Sequence, residues 1–97
     1  MMTLSLSFEP PFNEITKKLS EKVKFETPLT LDDLLIYLKN IYGDAFYDLL
    51  WKNGEKGNFS SFLSIIINGI SYRHENFLNT KLKDGDDITF LYLYFGG

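Results

Sequence analysis

Polar and apolar residues alternate through Thr3-Leu4-Ser5-Leu6-Ser7-Phe8, the period-2 mark of a half-buried strand. Pro10-Pro11 ends it. Residues 9–21 read as a loop with a short helical turn around residues 14–19. Lys22-Val23-Lys24-Phe25-Glu26 alternates again and predicts a second strand. The period then changes. Leu31, Leu34, Leu35, Leu38, Ile41 and Tyr42 recur at helical spacing and predict one apolar stripe. Thr30 is placed to cap that helix, with Asp33 three residues on. Asp32 and Asp33 suit the positive end of its dipole, and Gly43 is a natural stop.

Residues 44–51 predict a second short helix, and residues 53–58 a loop by composition. Residues 62–67 form a strongly β-prone run that ends at Asn68-Gly69, a tight-hairpin signal. Residues 70–73 return as a short strand. Residues 75–86 lack a period, with Leu78 and Leu82 as anchors and Asp84-Gly85-Asp86 as a turn. Residues 88–95 are the last strand. Ile88, Phe90, Tyr92 and Tyr94 share one of its faces, and Thr89, Leu91, Leu93 and Phe95 the other. Both faces are apolar, whereas a sheet covered on one side alternates. A central strand explains this in part. A docking patch at Leu91, Leu93 and Phe95 explains the rest. The order β-β-α-(α)-β-β-β predicts an α+β fold, a mixed sheet of about five strands packed on one main helix.

Composition narrows the chemistry. The 97 residues suit one domain spanning 1–97, with 44% hydrophobic and 16% aromatic residues to fill a core. Trp51 and the Phe/Tyr set are expected in that core. The net charge is −3 and the lysines are dispersed, which argues against nucleic acid as a partner. An acidic carrier fits a basic docking surface on another protein. No apolar run reaches membrane-spanning length, and Met1-Met2-Thr3-Leu4 lacks the basic region of a signal peptide. A cytoplasmic location is the default expectation. With no Cys and a single His, His74, no metal site is expected. Asp84, Asp86 and Asp87 lack the spacing and terminal Glu of a calcium loop. There is no phosphate-binding glycine motif.

Three segments carry a family resemblance. They are Ile66-Ile67-Asn68-Gly69, Leu82-Lys83-Asp84-Gly85-Asp86-Asp87-Ile88, and Gly96-Gly97 at the matching distance from the Asp-Gly-Asp turn. Two specified positions are both Gly by chance in roughly 0.5% of chains. In order and together, these segments resemble the MoaD/ThiS sulfur carriers, which have the ubiquitin-like β-grasp fold. The likeness is greatest to MoaD, the small subunit of molybdopterin synthase. The sequence departs from the pattern at Leu91-Tyr92-Leu93-Tyr94-Phe95, where MoaD-like tails often carry prolines and small residues.

The resemblance implies that the Gly97 carboxylate is adenylated and then thiocarboxylated, with Gly96 beside it. Glycine lets a peptide tail approach a nucleotide pocket closely, because it lacks a Cβ. ATP is implied for a partner activating enzyme of the MoeB/ThiF kind, and no cofactor for this chain. The second implied partner is a MoaE-like synthase large subunit. The same residues allow two other readings. One is a modifier joined to lysines through Gly97, or a carrier for tRNA thiolation or thiazole synthesis. The other is a β-grasp interaction module with an inert tail.

Overall fold

The computed structural model describes residues 2–56, 58–72 and 75–93. The chain runs β1 (Met2–Phe8), α1 (Phe12–Thr16), β2 (Ser20–Phe25), α2 (Leu31–Tyr42), α3 (Asp44–Asp48), β3 (Leu63–Ile67), β4 (Ile70–Tyr72) and β5 (Asp87–Tyr92). Short 3-10 turns occupy Lys52–Gly54 and Glu75–Asn79. Among the described residues the strands form one sheet in the order β2-β1-β5-β3-β4. β1 and β5 are parallel, and the other neighbours are antiparallel. This mixed sheet on a main helix is the α+β, ubiquitin-like β-grasp architecture expected from the element order.

Local chemistry sets the elements. In β1, Met2, Leu4, Leu6 and Phe8 are buried while Thr3, Ser5 and Ser7 are half-buried, as a period of two requires. Thr30 and Asp33 close a complete capping box on α2. Thr30 Oγ1 accepts from Asp33 N at 3.2 Å, and Asp33 Oδ2 accepts from Thr30 N at 3.0 Å. Leu31, Leu34, Leu35 and Leu38 bury the expected stripe. Ile41 departs from it and is 50% exposed. At about 100° per residue it lies some 80° off the line through Leu31, Leu38 and Tyr42, at the stripe's edge. Phe8, Phe12, Phe46 and Phe90 meet inside, with centroids 5.3–6.0 Å apart. All four are fully buried, and each contributes about 1.5–3 kcal/mol relative to exposure. Trp51 is buried and stacked on Phe59, in the core as expected.

Several boundaries move. The early helical turn is Phe12–Thr16 rather than 14–19, because burial of Phe12 and Thr16 at i, i+4 spacing decides its face. Lys17 then adopts a left-handed conformation at φ 64°, and Leu19 O already accepts from Phe8 N at 2.8 Å. β2 therefore begins at Ser20. The second helix stops at Asp48 rather than 51, since Trp51 bridges to Phe59 instead. β3 starts at Leu63 rather than 62, and β5 ends at Tyr92 rather than 95. At the far side of the sheet, Tyr42 Oη donates to Glu21 Oε1 at 2.5 Å and Lys18 pairs with Glu21 at 3.1 Å. This ties β2 to the end of α2.

Candidate functional site at the two ends of strand β5

β5 is central. It lies between β1, with Leu6 opposite Ile88 and Phe8 opposite Phe90, and β3, with Ile67 opposite Ile88 and Leu63 opposite Tyr92. Ile88 and Phe90 are fully buried against the helices. Thr89 and Leu91 point to the opposite face and are half-buried. The central position expected for this strand is what the sheet order shows. Its inner face is core and its outer face is accessible.

The start of β5 is fixed by polar contacts that join two of the sequence motifs. Asn68 and Gly69 take φ values of 52° and 86°, the paired positive values of a tight hairpin turn. The Asn68 side chain does not face solvent freely. Its Nδ2 donates to Asp86 Oδ1 at 2.8 Å, and its Oδ1 accepts from Asp87 N at 2.9 Å. Asp86 is only 8% exposed, and its Oδ2 accepts from Lys83 N at 2.8 Å. Asp84 Oδ1 accepts from Thr3 N, and Gly85 N donates to Thr3 O, both at 2.8 Å. Gly85 has φ 87°, which a side chain would strain. The Asp-Gly-Asp segment is thus a turn, as expected, but also a buried acceptor for the hairpin. Sequence reasoning missed that second role. No sequence signal carries it, because only the fold brings Asn68 to Asp86 and Asp87.

At the other end, Leu93 N donates to Phe62 O at 2.6 Å, one residue past the strand. The Tyr92 hydroxyl donates to the Leu49 carbonyl, and its ring meets Phe12 edge-on at 5.4 Å. Of the five site residues read from sequence, Leu91 and Leu93 are placed here and both are half-buried. Phe95, Gly96 and Gly97 lie outside the described residues, as does His74. Phe62, 44% exposed, and half-buried Ile66 extend the apolar surface beside Leu91 and Leu93. The sequence concealed them, because a β-prone run gives no sign of which residues face outward at its ends.

Among the described residues, no group of three His, Cys, Asp or Glu side chains is placed to hold a metal ion. No helix there is long and apolar enough to cross a membrane.

The fold and the interlocked motifs define a ubiquitin-like β-grasp protein. The ThiS family profile matches residues 11–97, so the chain belongs to the ThiS family of ubiquitin-like sulfur carrier domains. It is 32% identical over 69 residues to a candidate sulfur carrier protein of Archaeoglobus fulgidus, covering 71% of this chain and 75% of that one. The solution structure of small archaeal modifier protein 1 from Methanosarcina acetivorans superposes with a TM-score of 0.75 at 25% identity, over 100% of this chain and 98% of that one. A complex of subunits 1 and 2 of the molybdopterin-converting factor from Helicobacter pylori contains a chain with a TM-score of 0.57 and 26% identity. That match covers 99% of this chain and 100% of the other.

Proposed function

We propose that this protein carries sulfur on its C-terminal Gly97 as a thiocarboxylate and donates it in molybdopterin biosynthesis. The observation that carries the reading is the Asp84-Gly85-Asp86 turn at the start of the central strand β5, with Gly96-Gly97 following that strand in the sequence, within a chain matched by the ThiS family. In the first step a carboxylate oxygen of Gly97 attacks the α-phosphorus of ATP held by an activating enzyme. The bond to pyrophosphate breaks, and an acyl-adenylate forms. A sulfide equivalent then attacks the carbonyl carbon, AMP leaves, and the thiocarboxylate remains. This chain contributes an unhindered main-chain carbonyl, because Gly97 has no side chain to shield it. The nucleotide and the acid–base groups belong to the partner, and the compartment is the cytoplasm, where ATP is supplied.

Two partners follow from the reading. An adenylating enzyme of the MoeB/ThiF kind and a synthase large subunit of the MoaE kind would each dock on Leu91, Leu93 and Phe95 and accept the tail. The two-subunit Helicobacter pylori complex supports the second. A second reading, conjugation through Gly97 to protein lysines, is favoured by the likeness to small archaeal modifier protein 1 over the full chain. One experiment separates them. Thiocarboxylated protein is supplied either to a molybdopterin synthase large subunit with its sulfur-free precursor, or to cell extract. Sulfur transfer to the precursor supports the first reading. Gly-Gly remnants on lysines of extract proteins, without transfer to the precursor, support the second.

A further inference from the structure

The chain contains two Asn-Gly dipeptides, Asn53-Gly54 and Asn68-Gly69. In such a pair the glycine amide nitrogen can reach the preceding side-chain carbonyl, since no Cβ obstructs its approach. Both asparagines are exposed and both have positive φ, 56° and 52°. Their side chains differ completely. Asn68 is held by Asp86 and by the Asp87 amide, and its own N–H donates to Asp87 O at 2.8 Å. The Asn53 side chain makes no hydrogen bond among the described residues. It lies in a three-residue 3-10 turn that buries nothing.

We propose that Asn53 is a site of spontaneous modification, and that the contacts of Asn68 protect it from the same reaction. The Gly54 nitrogen, after giving its proton to solvent base, attacks Asn53 Cγ. The bond from Cγ to the amide nitrogen breaks, and ammonia leaves. The resulting succinimide takes up one water and opens at either carbonyl, giving aspartate or isoaspartate, with no oxidant or reductant involved.

The attack requires ψ of Asn53 to swing away from its value of 27°. That motion gives up one turn hydrogen bond, Glu55 N to Lys52 O at 3.0 Å. The same swing at Asn68 must break both side-chain bonds and the turn that joins β3 to β4. The product places a new carboxylate near Lys52 and Lys56 in sequence and leaves β5 untouched. Deamidation at Asn68 would instead set a second carboxylate against buried Asp86.

The test is incubation of the full chain at mildly alkaline pH, then peptide mapping with fragmentation that distinguishes aspartate from isoaspartate. Conversion at Asn53 is expected to exceed that at Asn68 by about ten-fold or more, the cost of first breaking the Asn68 contacts. It should also rise with pH. In denaturant the two rates should converge, and Asp86→Ala should raise the rate at Asn68 in the folded chain. Equal conversion at the two sites in the folded protein would overturn the proposal. So would an unchanged ratio in denaturant, because local sequence and not the fold would then set the rates.

Discussion

The two ends of β5 are held by different mixtures of polar and apolar contact. At its start, Asn68, Asp84, Asp86 and Asp87 exchange short hydrogen bonds with one another and with β1. At its end, a backbone bond from Leu93 to Phe62, the Tyr92 hydroxyl on the Leu49 carbonyl and the packing of the Tyr92 ring against Phe12 hold the chain. Hydrogen bonds are directional and fix a register, whereas apolar contact is not. The difference suits a strand whose base must not slip and whose tip, in the proposed function, leads to a tail that other proteins accept. A one-residue slip would move Phe90 from the core to the outer face.

The largest effect on this contrast is expected in the middle of the strand. Phe90→Ala removes a ring packed against Phe8, Phe12 and Phe46, and should cost about 3–5 kcal/mol in denaturant unfolding. At the pinned base, Asp86→Ala leaves Lys83 N and the Asn68 amide without their acceptor. The expected loss is about 1–3 kcal/mol, measured the same way. At the tip the sign of the comparison reverses. Leu93→Ser should change stability little but weaken binding to the activating enzyme by about 1–2 kcal/mol, read by titration calorimetry. An equal loss of stability and affinity at Leu93 would remove the distinction between base and tip.

The smallest effect lies away from β5. Tyr42 has its phenol pKa raised, first by burial and then by its bond to Glu21. A raised folded-state pKa means the contribution is fully present below the unfolded value of about 10 and is lost as pH rises through the folded value. Tyr42→Phe should therefore cost about 1 kcal/mol or less at neutral pH. The difference from wild type should shrink in alkaline unfolding titrations.

Much of this was legible in the sequence because it is periodic or local. Alternation placed β1, and Thr30 with Asp33 placed the start of α2. The Asn-Gly and Asp-Gly-Asp turns were each read correctly. What escaped depended on contact between distant residues. The hydrogen bond between Asn68 and Asp86 crosses a separation of 18 positions and has no periodic trace. Helical spacing carries the stripe on α2 to Ile41, which lies at the stripe's edge and is half exposed. Apolar character extends the last strand through Tyr94 and Phe95; β5 ends at Tyr92, and those two residues lie outside the described set. Of the site, the two leucines at the tip of β5 are legible because their face stays apolar where a half-covered strand would alternate. Phe62 could not, since its exposure depends on the turn that precedes β3.

Sulfur carriage by this chain depends on Gly97, and intact-mass analysis reaches that residue most directly. The full chain would be incubated with an activating enzyme of the MoeB/ThiF kind, ATP and a sulfur donor, beside a chain lacking Gly96-Gly97. The full chain should gain the mass of one sulfur in place of one oxygen, located on the C-terminal peptide. The shortened chain should stay unchanged and equally stable. An unchanged mass in the full chain, under conditions where an established carrier reacts, would contradict it.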